Sequence, residues 1–350
     1  MPAALRSGLV GLALLASPLS AQVDQAGPTI QGFLFGDGVF TVADGSAPDG
    51  FKMGQIVGHA NAALSERVLF FGEVSLTYRG GSYLVNAERA ILRYDFSDAL
   101  KVSVGRYHTP ISFWNTAYHH GLWLQGSVAR PEAVKFGTAF IPVHFVGAMV
   151  EGRLPNTPVH YMGGVGNGRS SSGIGAQDGG DANGHRAVIL STSVQPPSLL
   201  GFRVGGAVYV DRVPDSGTGE ADELMWSGHL VWERGSLDIV AEYIDVRHET
   251  VGSGSSVGSS AYYVHAGVRL PGAWRMVTPY ARWEDMQVDV ADPVFGGVIP
   301  DYEAIVAGIR YDLDAPAALK AEYRREKVFG ADRDAFFLQA SFAIPIGGQS

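Results

Sequence analysis

The segment 68-VLFFGEVSLTYR-79 separates apolar and polar side chains between alternate positions. One set is mostly apolar and comprises Val68, Phe70, Val74, Leu76 and Tyr78. The other set is polar and comprises Glu73, Ser75, Thr77 and Arg79. Successive side chains of a β-strand point to opposite faces, so this alternation predicts a strand with one apolar and one polar face.

The same alternation recurs along the chain, and almost no segment has a sustained helical period. It is clear in residues 223–233, 262–269 and 336–342. Alternation between turn residues predicts sixteen strands, an even number. The predicted ranges are 29–42, 51–63, 66–79, 83–96, 99–108, 140–154, 157–167, 185–195, 200–213, 222–234, 236–248, 259–270, 273–287, 301–313, 316–327 and 333–346.

Short and long connections alternate between these strands. The tight turns include Leu64-Ser65, Ser97-Asp98, Pro155-Asn156, Gly235, Pro271-Gly272 and Asp314-Ala315, and the long segments include 168–184, 214–221, 249–258 and 288–300. Strict alternation predicts a barrel with tight turns at one rim and long loops at the other. A soluble β-sandwich also alternates in polarity, but its Greek-key connections would not produce this order. We therefore expect an all-β, transmembrane, antiparallel up-and-down barrel.

The first 21 residues have the layout of a secretory signal peptide. Arg6 precedes an apolar run from Gly8 to Ala16, and small residues follow up to Ala21. The apolar run is shorter than the roughly 20 residues of a membrane-spanning helix. We predict cleavage after Ala21 and a single barrel domain over residues 22–350. No later stretch has the length of an apolar helix, so a membrane crossing here requires a closed barrel, which places the chain in the bacterial outer membrane.

Composition excludes several other classes. The sequence holds no cysteine, so it can form neither disulfides nor a thiolate metal site. Its formal charge of −9 becomes −10 when Arg6 leaves with the signal. Binding to nucleic acid is disfavoured, because its main driving force requires a basic surface.

The longest connection, residues 109–139, is rich in aromatic and basic side chains. They are Phe113, Trp114, Tyr118, His119, His120, Trp123, Arg130 and Lys135. Long loops without regular structure are usually functional, and aromatic side chains need a surface to pack against. We expect this loop to fold into the lumen and to narrow it. Sixteen strands otherwise leave an aqueous channel.

Residues 99–150 resemble bacterial outer-membrane porins, in pattern the general and phosphate-selective porins. The likeness rests on the runs GRYHTP at 105–110, FWNTAYHHG at 113–121, RPE at 130–132 and IPVHFVG at 141–147. It implies a passive channel for small polar solutes, without cofactor or enzymatic activity, whose third extracellular loop forms the constriction. It also implies a homotrimer. One departure is the C-terminus, where AIPIGGQS follows Phe342 instead of a terminal aromatic residue.

Strand parity assigns charged side chains to the lumen, because an Arg or Lys facing lipid costs about 2–4 kcal/mol at the bilayer midplane. The predicted pore wall comprises Arg89, Arg93, Lys101, Arg282, Glu284, Arg310, Lys320, Glu322 and Arg324. The basic residues of this wall in strands thirteen to fifteen could face Arg130 and Lys135 of the loop. Together they could complete a ring of positive charge that weakly favours anions. Alternatively, Glu284 and Glu322 pair with those bases across strands.

The pair His119-His120, with His108 and His144, also raises the possibility of a metal site. Adjacent residues of an extended chain point to opposite sides, so, unless the backbone turns sharply here, the spacing favours polar lining or loop packing over a metal site.

Two further functions fit the sequence less well. A barrel-embedded hydrolase lacks any nucleophile elbow, and Gly163–Arg169 precedes a polar loop instead of a phosphate-binding helix. A non-conducting surface barrel would need longer, repeat-bearing external loops. Asp178 and Asp181 are too few carboxylates to predict a divalent-ion site in loop 174–184.

Overall fold

The computed structural model of the chain describes residues 29–44, 49–79, 81–136, 140–170, 179–180, 184–217, 219–313 and 316–347. The predicted signal segment, Asp178, Asp181 and the turn at 314–315 lie outside these ranges.

Sixteen strands are present in the described part of the chain, as the alternation predicts. Their bounds are β1 Thr29–Ala43, β2 Gly50–Ala63, β3 Val68–Arg79, β4 Ser82–Ser97, β5 Leu100–His108, β6 His144–Arg153, β7 Val159–Asn167, β8 Ala187–Val194, β9 Phe202–Pro214, β10 Glu220–Arg234, β11 Leu237–Thr250, β12 Ser256–Val268, β13 Val277–Gln287, β14 Tyr302–Asp312, β15 Ala317–Val328 and β16 Ala331–Ile346. Each strand pairs antiparallel with the next, and β1 pairs with β16. The sheet is therefore a closed barrel, and the predicted fold class is confirmed.

The barrel has two different rims. The turn rim carries both ends of the barrel chain and the connections after β2, β4 and the other even-numbered strands, whereas the loop rim carries the connections after the odd-numbered strands. The lengths of the connections alternate between short and long less strictly than predicted. At the loop rim only Phe329-Gly330 joins β15 to β16, with φ of 48° and 76°. Positive φ at both central residues defines the tight hairpin turn that matches strand twist.

The outer face of the barrel is apolar around its circumference. In β3, Val74 is 49% exposed whereas Glu73 is 1% exposed, so the predicted alternation is observed. Other exposed apolar side chains of the strands include Leu190, Val208, Leu224, Trp226, Val264, Trp283, Ile305, Leu319 and Leu338. A closed barrel has no unpaired edge, so such a belt suits hydrocarbon on all sides. Among the described residues, no helix is both long and apolar enough to cross a membrane.

The core lies inside the barrel. Ile111, Phe113, Trp114, Phe140 and Ile141 belong to one buried cluster together with inward side chains of the strands. All five lie between β5 and β6, so the connection between these strands fills much of the lumen. The predicted sixth strand begins later than expected, at residue 144 instead of 140, because residues 140–142 pack in this core.

Candidate functional site

The inserted loop, residues 109–143, joins β5 to β6 and contains two short helical turns. Helix α1 spans Phe113–Ala117, and a 3-10 helix spans Glu132–Val134. The Ser112 hydroxyl caps α1 by accepting a hydrogen bond from the Asn115 amide at 3.1 Å. A serine before an aromatic run therefore starts the first ordered turn of the loop.

Glu242 on β11 fixes the beginning of α1. Its carboxylate accepts hydrogen bonds from the Phe113 amide at 2.6 Å, the Trp114 amide at 3.0 Å and the Ser112 hydroxyl at 3.0 Å. The Tyr263 hydroxyl donates a further bond to the same group. Glu242 is 4% exposed, so a buried carboxylate satisfies amides that the helix itself leaves unpaired.

Three basic residues of the predicted pore wall donate hydrogen bonds to the inserted loop, mostly to its backbone oxygens. Arg282 donates to Ala129 O at 2.8 Å and to Ser127 Oγ at 2.6 Å. Arg310 donates to Trp123 O at 2.6 Å and to Gln125 O at 3.0 Å. Lys320 donates to Leu122 O at 2.5 Å and to Ser127 O at 3.0 Å. Arg282 and Lys320 are 1% and 2% exposed, so they lie beneath the loop instead of facing an open channel.

The acids between these bases also hold the loop. Glu284 accepts from the Glu132 amide at 2.6 Å, and Glu322 accepts from the Val128 amide at 2.8 Å. Glu284 pairs with Arg282, and Glu322 pairs with Arg324, both at 2.7 Å. Each pair is two residues apart on one strand, so the pairing runs along strands as well as to the loop.

The loop residues predicted to line a constriction are mostly packed inside it. Trp114 is 1% exposed, and Arg282 lies 5.8 Å from its ring. Arg130 is buried, donates to the backbone oxygens of Val134 and His119, and stacks 3.6 Å from the ring of Phe136. Burial lowers the pKa of Arg130 to about 9.

Three other residues of the predicted constriction loop border a cavity or are exposed to solvent. Tyr118 and Trp123 line a cavity of 330 Å³ at the turn rim, where the Tyr118 hydroxyl donates to Glu233 at 2.5 Å. The side chain of Lys135 is half exposed, and its Nζ lies 3.0 Å from Glu132 Oε2.

The remaining pore-wall residues lie on β4 and β5. Arg89 pairs with Glu73, and Arg93 pairs with Asp95 at 2.7 Å and with Glu151 at 3.1 Å. Lys101 Nζ lies 3.9 Å from Asp95. These side chains are only partly buried, unlike Arg282 and Lys320, so this side of the lumen is the more hydrated one.

Two cavities lie against the wall formed by β2 to β5. The one toward the loop rim measures 760 Å³, and its lining includes Lys52, Gln55, Arg79, Glu88 and Arg106. The one toward the turn rim measures 290 Å³. Its lining includes Asn61, Arg89, Arg93, Tyr107, His108 and Glu151. His144 lines the first cavity and His108 the second, and their ring centroids are 5.6 Å apart.

Strand parity misses Glu88 because the strand is irregular at this point. Glu73 pairs with Arg89 and Val74 pairs with Ala87, which leaves Glu88 as the extra residue of a β-bulge. The bulge buries Glu88 beside Arg89, which strict alternation would not allow. Arg106 follows Gly105, whose φ is 148°, and its Nη1 donates to Glu88 O at 2.6 Å.

Four buried histidines meet between the two cavities. His108 and His144 are paired in register across β5 and β6, and His119 and His120 follow α1. The ring of His119 stacks 3.5 Å from His108 and lies 4.6 Å from His120 and 4.8 Å from His144. The two adjacent histidines do not diverge, because the chain is not extended here: it turns after α1, and Gly121 has a φ of 83°. Burial, reinforced by the other histidines and Arg130, holds the pKa of His119 well below its usual value.

No family model matches this chain, and no curated protein matches it. Solved structures do match. An anion-selective porin from Comamonas acidovorans has a TM-score of 0.68 at 10% identity, over 91% of this chain and 100% of the porin. The outer-membrane channel DcaP of Acinetobacter baumannii has a TM-score of 0.63 at 12% identity, over 91% of this chain and 98% of DcaP. OmpT, an outer-membrane protein of Vibrio cholerae in its trimer form, has a TM-score of 0.63 at 12% identity, over 91% of this chain and 99% of OmpT.

Identities this low show a shared fold. The chain therefore has the barrel fold of the outer-membrane porins, in which the strands cross the membrane. Its inserted loop lies in the lumen, as the resemblance implies, and extends four residues further than the predicted 109–139.

Proposed function

We propose that this protein is a passive channel of the outer membrane for small polar and ionic solutes, with a weak preference for anions. One observation carries the proposal: the inserted loop packs against β10 to β15 and leaves cavities of 760 and 290 Å³ on the opposite wall, one toward each rim. A solute would pass along β2 to β5, where the buried side chains of His108, His119, His120 and His144 separate the two cavities and would have to move aside. The apolar belt would contact outer-membrane lipid.

Charges in the larger cavity support the anion preference. Lys52, Arg79 and Arg106 line it, and Glu88 is its one acidic lining residue. Glu88 is 5% exposed and lies 3.6 Å from the guanidinium of Arg106, so the charges left accessible in this cavity are those of Lys52 and Arg79. Charges at a narrow point decide which ions enter a pore. The Comamonas neighbour is described as anion-selective, and the likeness of this chain to it is one of fold.

Planar-bilayer recording of the purified protein tests the channel. We expect step-like currents and a reversal potential, in a KCl gradient, of the sign for anion preference. The double variant Lys52→Gln, Arg79→Gln should move this potential toward zero, whereas Arg275→Gln, in the exposed turn 269–276, should not. Absence of any current step would defeat the proposal and would favour a non-conducting surface barrel.

A hydrolase is the less supported alternative. Ser259, His248 and Asp292 do meet near the loop rim, with Ser259 Oγ 3.4 Å from Asp292. However, His248 contacts Asp292 at 2.9 Å and Glu223 at 3.0 Å through its two ring nitrogens. A catalytic base must accept the serine proton directly, so this connectivity is unsuited to nucleophilic attack. We therefore propose a channel without enzymatic activity.

We also propose a homotrimer. The support is the trimeric Vibrio neighbour, which shares the fold. Light scattering of the detergent-solubilised protein should give a protein mass three times that of one chain. A mass of one chain at all concentrations would contradict the trimer without affecting the channel proposal.

A further inference from the structure

The cluster of His108, His119, His120 and His144 has the composition of a transition-metal site. Each residue offers one ring nitrogen, and these four atoms all lie within 4.8 Å of one another. The residues are 2% to 9% exposed. We propose that they bind one divalent transition-metal ion of the class that prefers imidazole, represented by Zn²⁺ and Cu²⁺.

One ring nitrogen of each histidine, Nε2, is left without a hydrogen bond. In the described part of the chain, the Nε2 atoms of all four histidines are buried and have no hydrogen-bond partner. Buried polar atoms are normally paired, so several unpaired nitrogens at one point indicate an absent ligand. A metal ion would satisfy them together, since neutral imidazole is a common metal ligand.

Two of the rings are already oriented for this role. His119 Nδ1 lies 2.7 Å from Asn115 Oδ1, and His120 Nδ1 lies 3.1 Å from Gln55 Oε1. The Asn115 amide nitrogen donates to Thr109 O and Val143 O, which fixes the oxygen toward His119. An amide oxygen only accepts, so both Nδ1 atoms carry a proton, and in the neutral imidazole both Nε2 atoms then present a lone pair. Metal-binding histidines are usually oriented in this way by their second nitrogen.

Carboxylates next to the cluster supply compensating charge. Glu88 Oε2 lies 3.1 Å from His144 Nε2 and 3.3 Å from His120 Nε2, and Glu73 Oε2 lies 3.4 Å from His108 Nε2. These contacts lack hydrogen-bond alignment. Four nitrogens at the usual Zn–N distance are roughly 3.4 Å apart in a tetrahedron, so the rings would move together by roughly 1 Å on binding.

The ligands come from separate elements, which defines the effect of binding. His108 ends β5, His144 begins β6, and His119 and His120 belong to the inserted loop. A bound ion would therefore join the loop to the barrel wall between the two cavities.

Binding can be measured on the full protein, refolded in detergent without a polyhistidine tag and stripped with a chelator. Isothermal titration with Zn²⁺ should show one ion per barrel. The double variant His119→Gln, His120→Gln should bind at least roughly 100-fold more weakly. The control His160→Gln, His229→Gln changes two histidines of a separate lumen cavity and should bind as the parent does.

Heat-modifiable migration on gels would show that each variant is folded. If the double variant does not fold, Cu²⁺ electron paramagnetic resonance of the unsubstituted protein decides, because imidazole ligands give nitrogen hyperfine splitting. Absence of saturable Zn²⁺ binding, equal binding by both double variants, or a Cu²⁺ spectrum without nitrogen splitting would overturn the site. None of these measurements requires conductance, so the metal site and the channel can fail independently.

Discussion

Glu242 shows how a single buried side chain positions the inserted loop. It accepts bonds from two loop amides and the Ser112 hydroxyl, across 128 to 130 residues of sequence. A buried carboxylate is costly unless its oxygens are hydrogen-bonded, and here they are. The satisfied burial of Glu242 therefore depends on the loop, and the loop start depends on Glu242.

Replacing this carboxylate should loosen the loop. In Glu242→Ala the amides of Phe113 and Trp114 lose their acceptor, at a cost of about 1–3 kcal/mol for each unsatisfied group. We expect larger and noisier single-channel currents and faster cleavage within residues 109–143 by added protease. Glu249→Ala, an exposed acid on the same strand, is the control. Currents and cleavage unchanged from the parent would contradict the role of Glu242.

The inserted loop behaves as an inner layer of the barrel at the scale of the element. It has only two short helical turns, yet its backbone is bonded to side chains of β11, β13, β14 and β15. The loop is therefore ordered by side chains of the barrel wall instead of by regular backbone hydrogen bonds of its own.

This bonding should protect loop amides from hydrogen exchange. The amides of Phe113, Trp114, Val128 and Glu132 donate to buried carboxylates. We expect peptides covering 109–136 to exchange as slowly as strand peptides, because exchange requires the loop to open. The exposed loop 251–255 should exchange fast and serves as the comparison. Equal, fast exchange of both segments would show that the loop is not held in the lumen.

A second loop, residues 288–301, is held by an ionised acid. Burial of Asp292 disfavours its charge, but hydrogen bonds from His248 and from the amides of Val294 and Phe295 outweigh burial and lower its pKa below 3.8. A lowered pKa means that this stabilisation is complete above pH 3.8 and is lost as the pH falls through the pKa of the folded state.

Acid should therefore release this loop. At neutral pH, Asp292→Asn should exchange faster than the parent in residues 288–301, as measured by hydrogen exchange and corrected for the intrinsic effect of pH. The difference should shrink and vanish once Asp292 is protonated in the parent. A difference that is absent at pH 7, or that persists undiminished in acid, would refute the assignment.

For the whole molecule, the barrel could be predicted from the sequence because its signal is local. Alternation such as Glu73, Val74 and Ser75 requires only neighbouring residues. The anchoring of the loop could not be predicted, since Val128 meets Glu322 across 194 residues. The alternate positions along each strand predict that charged side chains point into the lumen. They do not show that the loop covers Arg282 and Lys320. The histidine cluster depends on a turn at Gly121 that the spacing of His119 and His120 does not reveal.

The apolar belt makes a prediction that concerns the barrel as a whole. Val208 lies in the middle of β9, is 47% exposed, and pairs with Leu190 and Trp226, which are also exposed. If this face contacts hydrocarbon, Val208→Arg should lower the free energy of unfolding in lipid vesicles by about 2–4 kcal/mol. Val290→Arg, in the exposed part of loop 288–301, should cost about 0–1 kcal/mol because it lies outside the bilayer. Denaturant titration of both variants in the same vesicles measures the difference, and equal costs would mean that the belt around Val208 does not face lipid.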